Sequence, residues 1–436
     1  MSVPHTALAE RVAAQRTDLP EVYGGIDFAA VPYRFTVDPA APSALPARRG
    51  DRAAYLADTA LVDLLRTATL LGDVTADRVA ALSSSYRVSE LVTMVAQVCR
   101  DGLDAHPDTP APVAALIREM ERLPDWIDRD LVERGAAVAR LSAGLLAPFI
   151  TRGAFIATFT NSYAALPMTI TGALSGTRAA HRVNETTAFF AVTTLPGALD
   201  RYGPGFQAAA MVRLMHSMVR YNALHRSTRW DPAVYGIPVP QSDQLPAGLI
   251  GPYLTSLRAL RSGRTEFTSG ERAMVEFSRY RCFLLGLPEE LVPSTPQGIV
   301  DMFHGRAATL RHGFDDDCLR LVRSTMDAYL RPGDGPFDRA ADAVERSYSK
   351  VAFTQAFCDG DRAIARRMGV DLTFADYARV AVTAPFLAGR VLVVGLAARR
   401  RRLRPLVDRY LVRQVRHRLD VYGIPKYTSD VAEYAH

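Results

Sequence analysis

The chain has 436 residues, of which 48% are hydrophobic and 22% charged, and this composition is typical of a globular protein with a large core. It excludes a disordered or fibrous chain. The net charge of +6 is modest, and all but two of the 52 basic residues are arginine. The four cysteines form no Cys-x-x-Cys pair, which argues against a zinc or iron–sulfur site.

The first 50 residues predict an extended arm that wraps the domain. Five prolines, at positions 20, 32, 39, 42 and 46, forbid a long helix there. The N-terminus carries Glu10 and lacks both an apolar run of secretory length and a twin-arginine signal. We therefore expect a cytoplasmic protein.

From Asp51 onwards, apolar residues recur every three or four positions, which predicts helices, whereas strand alternation is scarce. The main predicted helices are 110–123, 129–149, 152–172, 178–196, 204–226, 254–263, 269–285, 296–312, 315–330, 337–369, 374–398 and 403–421. We predict an all-α fold: one large helical domain with a globin-like core around a buried pocket. The expected division is an arm at 1–50, a core at 51–332, and C-terminal helices at 333–436 that pack on the core.

An apolar run, Val391 to Ala398, precedes the arginine cluster formed by Arg399 to Arg402 and Arg404. The run is bounded by Arg390, and it is far shorter than the roughly 20 residues that cross a bilayer. We therefore predict no transmembrane span. A solvated or subunit-facing helix end is favoured, and peripheral membrane attachment stays open as an alternative. Nucleic-acid binding is not expected, because no recognised module accompanies the basic run.

The most informative segment is the predicted helix 204–226, where His216 lies in an apolar run with Arg213 and Arg220. Residues three and four apart share a helix face, so one imidazole and two guanidiniums project from one surface. Haem suits that arrangement, with His216 as the iron ligand and the arginines on its propionates. The alternative is a core histidine flanked by arginines that make ordinary salt bridges.

A histidine that ligates iron also needs an acceptor for its second ring nitrogen. Asp231, Gln241 and Asp243 are candidates, since they lie in the proline-bearing stretch Pro232 to Pro252 that follows the helix. We interpret that stretch as a functional loop.

The opposite side of such a site is predicted from the helix at 178–196. Arg182, Glu185 and Thr186 stand at i, i+3 and i+4, so all three can point at one spot. The simpler interpretation of Arg182 and Glu185 is a solvated salt bridge. Competing chemistry is weak, because the chain has no Gly-x-Ser-x-Gly elbow, phosphate-binding loop or dinucleotide fingerprint.

Four segments together resemble the latex clearing protein (rubber oxygenase) and MpaB superfamily, over about residues 120–305. They are Leu123-Pro-Asp-Trp126-Ile-Asp128, Arg182-x-x-Glu185-Thr186, Arg213-x-x-His216 followed by Gly236-x-Pro-x-x-Gln241-x-Asp243, and Leu284-Leu-Gly286-Leu-Pro288 followed by Pro293. The resemblance implies a globin-like, haem-binding core and a haem b-dependent oxygenase with His216 as proximal iron ligand. It also implies a small apolar substrate, terpenoid- or polyketide-like, and O2 or peroxide as oxidant.

One position departs from the family. By the resemblance, latex clearing proteins carry a lysine at the position that corresponds to Glu185. Polyisoprene cleavage is therefore doubtful for this chain. A glutamate there would be a distal proton acceptor, with Arg182 polarising bound oxygen and Thr186 donating a hydrogen bond. A haem peroxygenase or peroxidase that uses Glu185 is one alternative. Another is a non-catalytic helical protein that binds apolar ligands or partners.

Overall fold

The computed structural model describes residues 6–171 and 178–423. In these residues the secondary structure is helical, and extended pairing is limited to the isolated bridges Phe35–Leu310 and Ser43–Arg311. The predicted all-α class is confirmed. Position 172 of one predicted helix and positions 424–436 of the predicted C-terminal segment lie outside the described residues.

The α-helices are numbered here in chain order. The first eleven are α1 (Thr6–Asp18), α2 (Pro20–Tyr23), α3 (Arg52–Ala57), α4 (Thr59–Thr69), α5 (Val74–Ala81), α6 (Val88–Asp101), α7 (Ala111–Glu121), α8 (Arg129–Leu145), α9 (Ala147–Ile156), α10 (Ser162–Ile170) and α11 (Arg178–Val192). The others are α12 (Pro204–Arg226), α13 (Pro232–Tyr235), α14 (Gln241–Arg261), α15 (Ser269–Leu284), α16 (Pro296–Thr309), α17 (Asp316–Asp327), α18 (Pro336–Phe357), α19 (Arg362–Arg367), α20 (Phe374–Arg399) and α21 (Arg404–Tyr422).

The described chain divides into two compact units, each assembled from separate stretches of sequence. Unit 1 holds residues 6–135 and 199–313, and unit 2 holds residues 136–171, 178–198 and 314–423. The sequence placed its boundaries at 50 and 332 instead. The difference arises because contacts between distant segments, which no local pattern records, decide which helices share a core.

Unit 1 is built around α12 and α14. Helix α12 packs against α5 and α6, and α14 packs against α15 and α16. Where these last three meet, the core includes Tyr253, Val275, Ile299 and Val300. Unit 2 is built around the pair α9 and α18, while α11 packs against α9, α17 and α21.

The N-terminal arm begins with a helix, which corrects the extended arm predicted for residues 1–50. Helix α1 ends at Asp18, two residues before Pro20, which starts α2 as its first residue. Proline is well placed there, because the first turn of a helix leaves its N–H groups unpaired. From Gly24 to Gly50 the chain is irregular, as the remaining prolines predicted.

Most of the segment Pro232 to Pro252 is helical and not a loop, because α13 covers its start and α14 runs through Pro246 and Pro252, which leaves only residues 236–240 irregular. Each proline lacks the N–H that would bond the carbonyl four residues earlier. Arginines supply the missing donors. Arg306 donates to the carbonyl of Ser242 (2.9 Å), and Arg281 donates to the carbonyl of Gly248 (3.1 Å). Tertiary contacts thus keep helical a segment whose local sequence favours a loop.

Candidate functional site

Helix α12 carries the predicted iron ligand. Gly203 precedes it and Pro204 is its first residue, and the helix then runs for 23 residues to Arg226. Its sides are buried almost throughout, with Leu214 and Met218 in the core. His216 is half-buried on this helix. The predicted span, 204–226, coincides with the observed one, because a local start signal and a continuous apolar pattern mark both ends.

Arg213 is buried in an ion pair that ties α12 to the start of α5. Its guanidinium donates to both carboxylate oxygens of Asp73, at 2.5 and 2.8 Å, and also to Glu119 on α7. Asp73 is the N-cap of α5 and accepts from the backbone N–H of Ala76. Burial disfavours the charge of Arg213, but the two carboxylates outweigh burial and raise its pKa above the ordinary value.

Arg220 makes a second buried ion pair two turns further along α12. It donates to Asp77 on α5 and to the backbone carbonyls of Pro238 (3.0 Å) and Val239 (2.7 Å). The hydroxyl of Tyr23 also donates to Asp77. Burial raises the pKa of Asp77, and the adjacent Arg220 opposes that shift without cancelling it. Burial and the Asp77 carboxylate raise the pKa of Tyr23 well above its usual range.

Both guanidiniums are therefore bound by protein carboxylates, and the haem-propionate contacts that the sequence suggested for them stay a prediction. Their partners Asp73 and Asp77 lie about 140 residues earlier in the chain. The sequence did contain a signal for these partners. Asp73 and Asp77 lie four residues apart at the start of a helix, and only one of them is needed as its N-cap. The alternative interpretation, in which these arginines make ordinary salt bridges, fits the structure.

The three residues named as acceptors for the His216 ring have other roles. Asp231 caps α13 by accepting from the backbone N–H of Ala233. Asp243 accepts from Arg34 (2.7 and 2.9 Å) and from Arg306 (2.6 Å). These arginines outweigh burial and lower the pKa of Asp243.

The third, Gln241, uses its amide oxygen to accept from Gln244 at 2.6 Å. None of the three shows a hydrogen bond to His216 among those described, so the partner of the ring stays unassigned.

Another histidine of unit 1, His304, is buried and is a satisfied core residue. Its Nδ1 lies 2.9 Å from the hydroxyl of Tyr55, and its Nε2 lies 2.9 Å from the hydroxyl of Tyr253. Burial lowers its pKa, so the ring is held in its neutral form. With both ring nitrogens engaged by tyrosines, His304 has none left for a metal.

The predicted distal residues lie on α11, in unit 2. Glu185 is buried, and one of its oxygens accepts from Arg182 at 3.0 Å. The other oxygen lies 3.0 Å from Nε2 of His181, one turn earlier on the exposed side of the helix. Thr186 is half-buried beside them. The sequence did not single out His181, although its i, i+4 spacing to Glu185 was visible.

This carboxylate is thus held between a guanidinium and an imidazole nitrogen, each within hydrogen-bond distance of one of its oxygens. His216 belongs to unit 1 and Glu185 to unit 2, and each is described within its own unit. Their predicted placement on opposite sides of one cofactor stays a prediction.

Among the described residues, no three His, Cys, Asp or Glu side chains come together as a metal-binding group. An iron centre held by several side chains would need such a group. Haem needs only one, because the macrocycle supplies four nitrogen ligands and the protein one axial ligand. A single histidine on a fixed helix is therefore a donor set that fits haem.

The chain is similar to known proteins in both sequence and fold. The model of a family described as "ER-bound oxygenase mpaB/B′/Rubber oxygenase, catalytic domain" matches residues 149–389, more than half of the chain. This match includes α11 and α12 but begins after the Trp126 segment. The structure described as "Structure of Latex Clearing Protein LCP in the closed state" is similar with a TM-score of 0.56 at 15% identity, over 80% of this chain and 91% of that chain. At that identity the likeness shows the fold alone. No curated protein matches the sequence.

Proposed function

Because the chain belongs to the family of the ER-bound oxygenases mpaB/B′ and the rubber oxygenases, we propose that it is a haem b-dependent oxygenase with His216 as the iron ligand. The observation that carries this proposal is the position of His216. It is half-buried on α12, between two arginines whose buried ion pairs fix that helix within unit 1. The substrate class that we propose is a small apolar molecule, terpenoid- or polyketide-like, with O2 or peroxide as oxidant.

His216 fits haem as an axial ligand, whereas the two arginines have a different role from the one that the sequence suggested. Imidazole is the axial ligand that haem iron takes in many proteins, and haem supplies the activation of dioxygen or peroxide. Arg213 and Arg220 act at a distance from that chemistry, since they hold α12 and not the propionates. We assign them as positioning residues.

Glu185 is the residue that we propose for proton transfer during oxidation. Its two oxygens have different partners, because Arg182 holds one and His181 the other. Arg182 places a guanidinium beside one carboxylate oxygen, and His181 places an imidazole nitrogen within hydrogen-bond distance of the other. Thr186 offers a hydroxyl donor beside this group. Positioned acid–base catalysis of this kind contributes typically about 10²–10⁴ in rate.

The first experiment is a haem titration of the purified full-length protein, followed by absorption spectroscopy. We expect a Soret band at one haem per chain for the wild type, and its loss or displacement in His216→Ala. His225→Ala is a matched control, because His225 is exposed on the same helix. We expect it to bind haem like the wild type. Far-ultraviolet circular dichroism of each variant checks that α12 stays folded.

If the wild type gives no Soret band, or if His216→Ala binds haem as the wild type does, the ligand assignment is wrong. A protein that binds apolar ligands without turnover would then become the better proposal. An apolar fluorescent probe would distinguish it, since such a protein would bind the probe without haem and without consuming oxidant.

The second experiment addresses Glu185. The haem-loaded wild type and Glu185→Gln are compared for consumption of peroxide with a phenolic dye as reductant. We expect the variant to keep its Soret band and lose at least tenfold in rate, because an amide accepts a hydrogen bond but cannot carry a proton between groups. Thr151→Val, on α9, is a control for a half-buried polar change within unit 2. A rate for Glu185→Gln equal to the wild type would make Glu185 merely a salt-bridge partner.

A further inference from the structure

Helix α20 is 26 residues long, yet of its residues only Asp376 is buried. Among single helices in the described residues, it is the one that is long and apolar enough to cross a membrane, judged by length and composition. From the sequence, the apolar run was limited to the eight residues Val391 to Ala398, because Arg390 was treated as its boundary. Apolar and small residues in fact extend from Val380 to Ala398, with Arg390 the one charged residue between them.

Large apolar side chains cover the solvent-facing side of this helix. Those that are at least half exposed are Phe374, Val382, Phe386, Leu392, Val393 and Leu396. Neighbours such as Leu392 and Val393 point about 100° apart on a helix, so the exposed side is a broad face and not a narrow seam. Soluble proteins rarely expose a continuous apolar face of this extent unless another surface covers it.

The charge of Arg390 does not interrupt that face. Its guanidinium donates to the hydroxyl of Tyr410 (2.6 and 3.1 Å) and to the side-chain oxygen of Gln414 (3.0 Å), both on α21. Helix α20 also packs against α18 and α21 within unit 2. Arg390 is exposed, yet its guanidinium reaches back to α21, so the large apolar side chains keep a continuous outer face.

The C-terminal end of the face is strongly basic. Arg399 to Arg402 and Arg404 are all exposed, and none of them belongs to an ion pair within residues 6–171 and 178–423. Exposed Leu403 lies between Arg402 and Arg404, and exposed Leu406 follows the cluster. A broad apolar face next to clustered arginines matches the boundary between lipid headgroups and acyl chains, where phosphates meet the cations and hydrocarbon meets the leucines.

We propose that α20 and the arginine cluster (Arg399–Arg402 and Arg404) dock the protein onto an anionic lipid bilayer. The apolar face lies in the headgroup boundary, and the arginines bind phosphate and carboxylate headgroups. The helix lies in the surface instead of crossing it, because α18 and α21 cover its other side. A second copy of the chain fits this face less well, because paired helices usually meet along a narrow apolar stripe and the apolar face of α20 is broad. The family match ends at residue 389, before the arginine cluster, and the proposal does not depend on haem.

The test is flotation of the purified full-length protein with vesicles. One set is an equimolar mixture of phosphatidylcholine and phosphatidylserine, and the other is phosphatidylcholine alone. We expect the wild type to float with the mixed vesicles, to bind phosphatidylcholine much more weakly, and to lose affinity as salt is raised.

Two matched pairs of variants separate the apolar and basic parts. Leu392→Glu should weaken binding at least tenfold, whereas Leu254→Glu, the same change at an exposed leucine of α14, should not. Arg401→Gln/Arg402→Gln should weaken binding roughly 30-fold, about 1 kcal/mol per arginine. Arg118→Gln/Arg122→Gln removes two exposed charges elsewhere and should leave it unchanged. Circular dichroism confirms folding of each variant.

Failure of the wild type to float with mixed vesicles would overturn the proposal. So would equal binding of Leu392→Glu and Leu254→Glu. Equal binding to both vesicle types would remove the role of the arginines. If light scattering shows a dimer that Leu392→Glu dissociates, while no vesicle binds, a second copy covers the face instead.

Discussion

Replacing Arg220 with methionine removes one buried charge from unit 1 while keeping a side chain of similar length. Arg220 is fully buried, and Asp77 is nearly so. The change leaves the Asp77 carboxylate buried without its cation, a loss that costs typically 3–5 kcal/mol. The carbonyls of Pro238 and Val239 also lose a donor, at about 1 kcal/mol each. Since these losses overlap, we expect unfolding to become easier by about 4–5 kcal/mol.

Tryptophan fluorescence in a urea titration can measure this loss in unit 1 alone. The chain has two tryptophans, Trp126 and Trp230, and both lie in unit 1. Arg66→Met is the matched control, because Arg66 pairs with Asp63 at 3.4 Å on the surface of the same unit. An exposed pair contributes less than about 1 kcal/mol, so this variant should unfold nearly as the wild type does.

A double variant distinguishes the ion pair from simple loss of packing. Arg220→Met/Asp77→Asn removes both charges and keeps an acceptor for the Tyr23 hydroxyl. We expect it to be more stable than Arg220→Met by about 2–3 kcal/mol, because no uncompensated charge remains. If instead the double variant is less stable than the single one, or if Arg220→Met costs under 1 kcal/mol, Arg220 does not neutralise Asp77 in the folded protein.

The pH dependence supplies an independent check. Burial raises the pKa of Asp77, and Arg220 holds that rise down. Without Arg220 the pKa rises further above its value in the unfolded chain, so the folded variant binds a proton more readily than the unfolded chain does. The stability that Arg220→Met loses relative to the wild type should therefore be largest above the pKa of Asp77 in the folded variant. This loss should shrink as pH falls towards the ordinary range of a carboxyl group. A deficit that grows on acidification would contradict this account.

Two further predictions concern backbone packing and helix capping. Gly135→Ala should destabilise unit 1 by several kcal/mol in the same urea titration, because a Cβ there would overlap the carbonyl of Ala273 on α15. Gly251→Ala, in α14 with open space around it, should instead stabilise by up to about 1 kcal/mol. Hydrogen bonds from Thr373, Ser347 and Lys350 outweigh burial and lower the pKa of Asp376 to about 2. The ionised Asp376 should therefore stabilise the start of α20 by roughly 2 kcal/mol above about pH 4, and this stabilisation should be lost towards pH 2. Hydrogen exchange at the start of α20 should show that pH-dependent loss in the wild type and not in Asp376→Ala.

Helix positions were largely predictable because their signals are local. The predicted span 269–285 corresponds to α15, which starts with the capping box of Thr268 and Glu271. The span 204–226 corresponds to α12, and 374–398 to α20. In each case a start signal, either a capping box or a first-turn proline, lies within a few residues of an apolar period, so the sequence alone contains what is needed.

The errors share a physical cause, which is that their explanation lies in distant residues. Nothing near Pro246 indicates that Arg306 will bond the carbonyl it leaves unpaired. Likewise, nothing near Arg213 indicates that its partner is Asp73. The apolar run of α20 was judged too short for a different reason: Arg390 was treated as its boundary, whereas its guanidinium turns towards α21. Pattern locates charged residues but not the directions in which they point.

The buried arginines also explain how His216 can be held in one position. Arg213 and Arg220 are seven residues apart, two helical turns, and their carboxylates Asp73 and Asp77 are four apart on a single helix. Sliding α12 by one turn, or rotating it by one residue, would leave both carboxylates buried without a cation. Such mispaired charges cost several kcal/mol each, so the two pairs together allow one register. An apolar contact surface tolerates small shifts, but this pairing does not. The ion pairs therefore fix the position along α12, and the side of the helix, from which His216 projects, and an axial ligand requires such a fixed position.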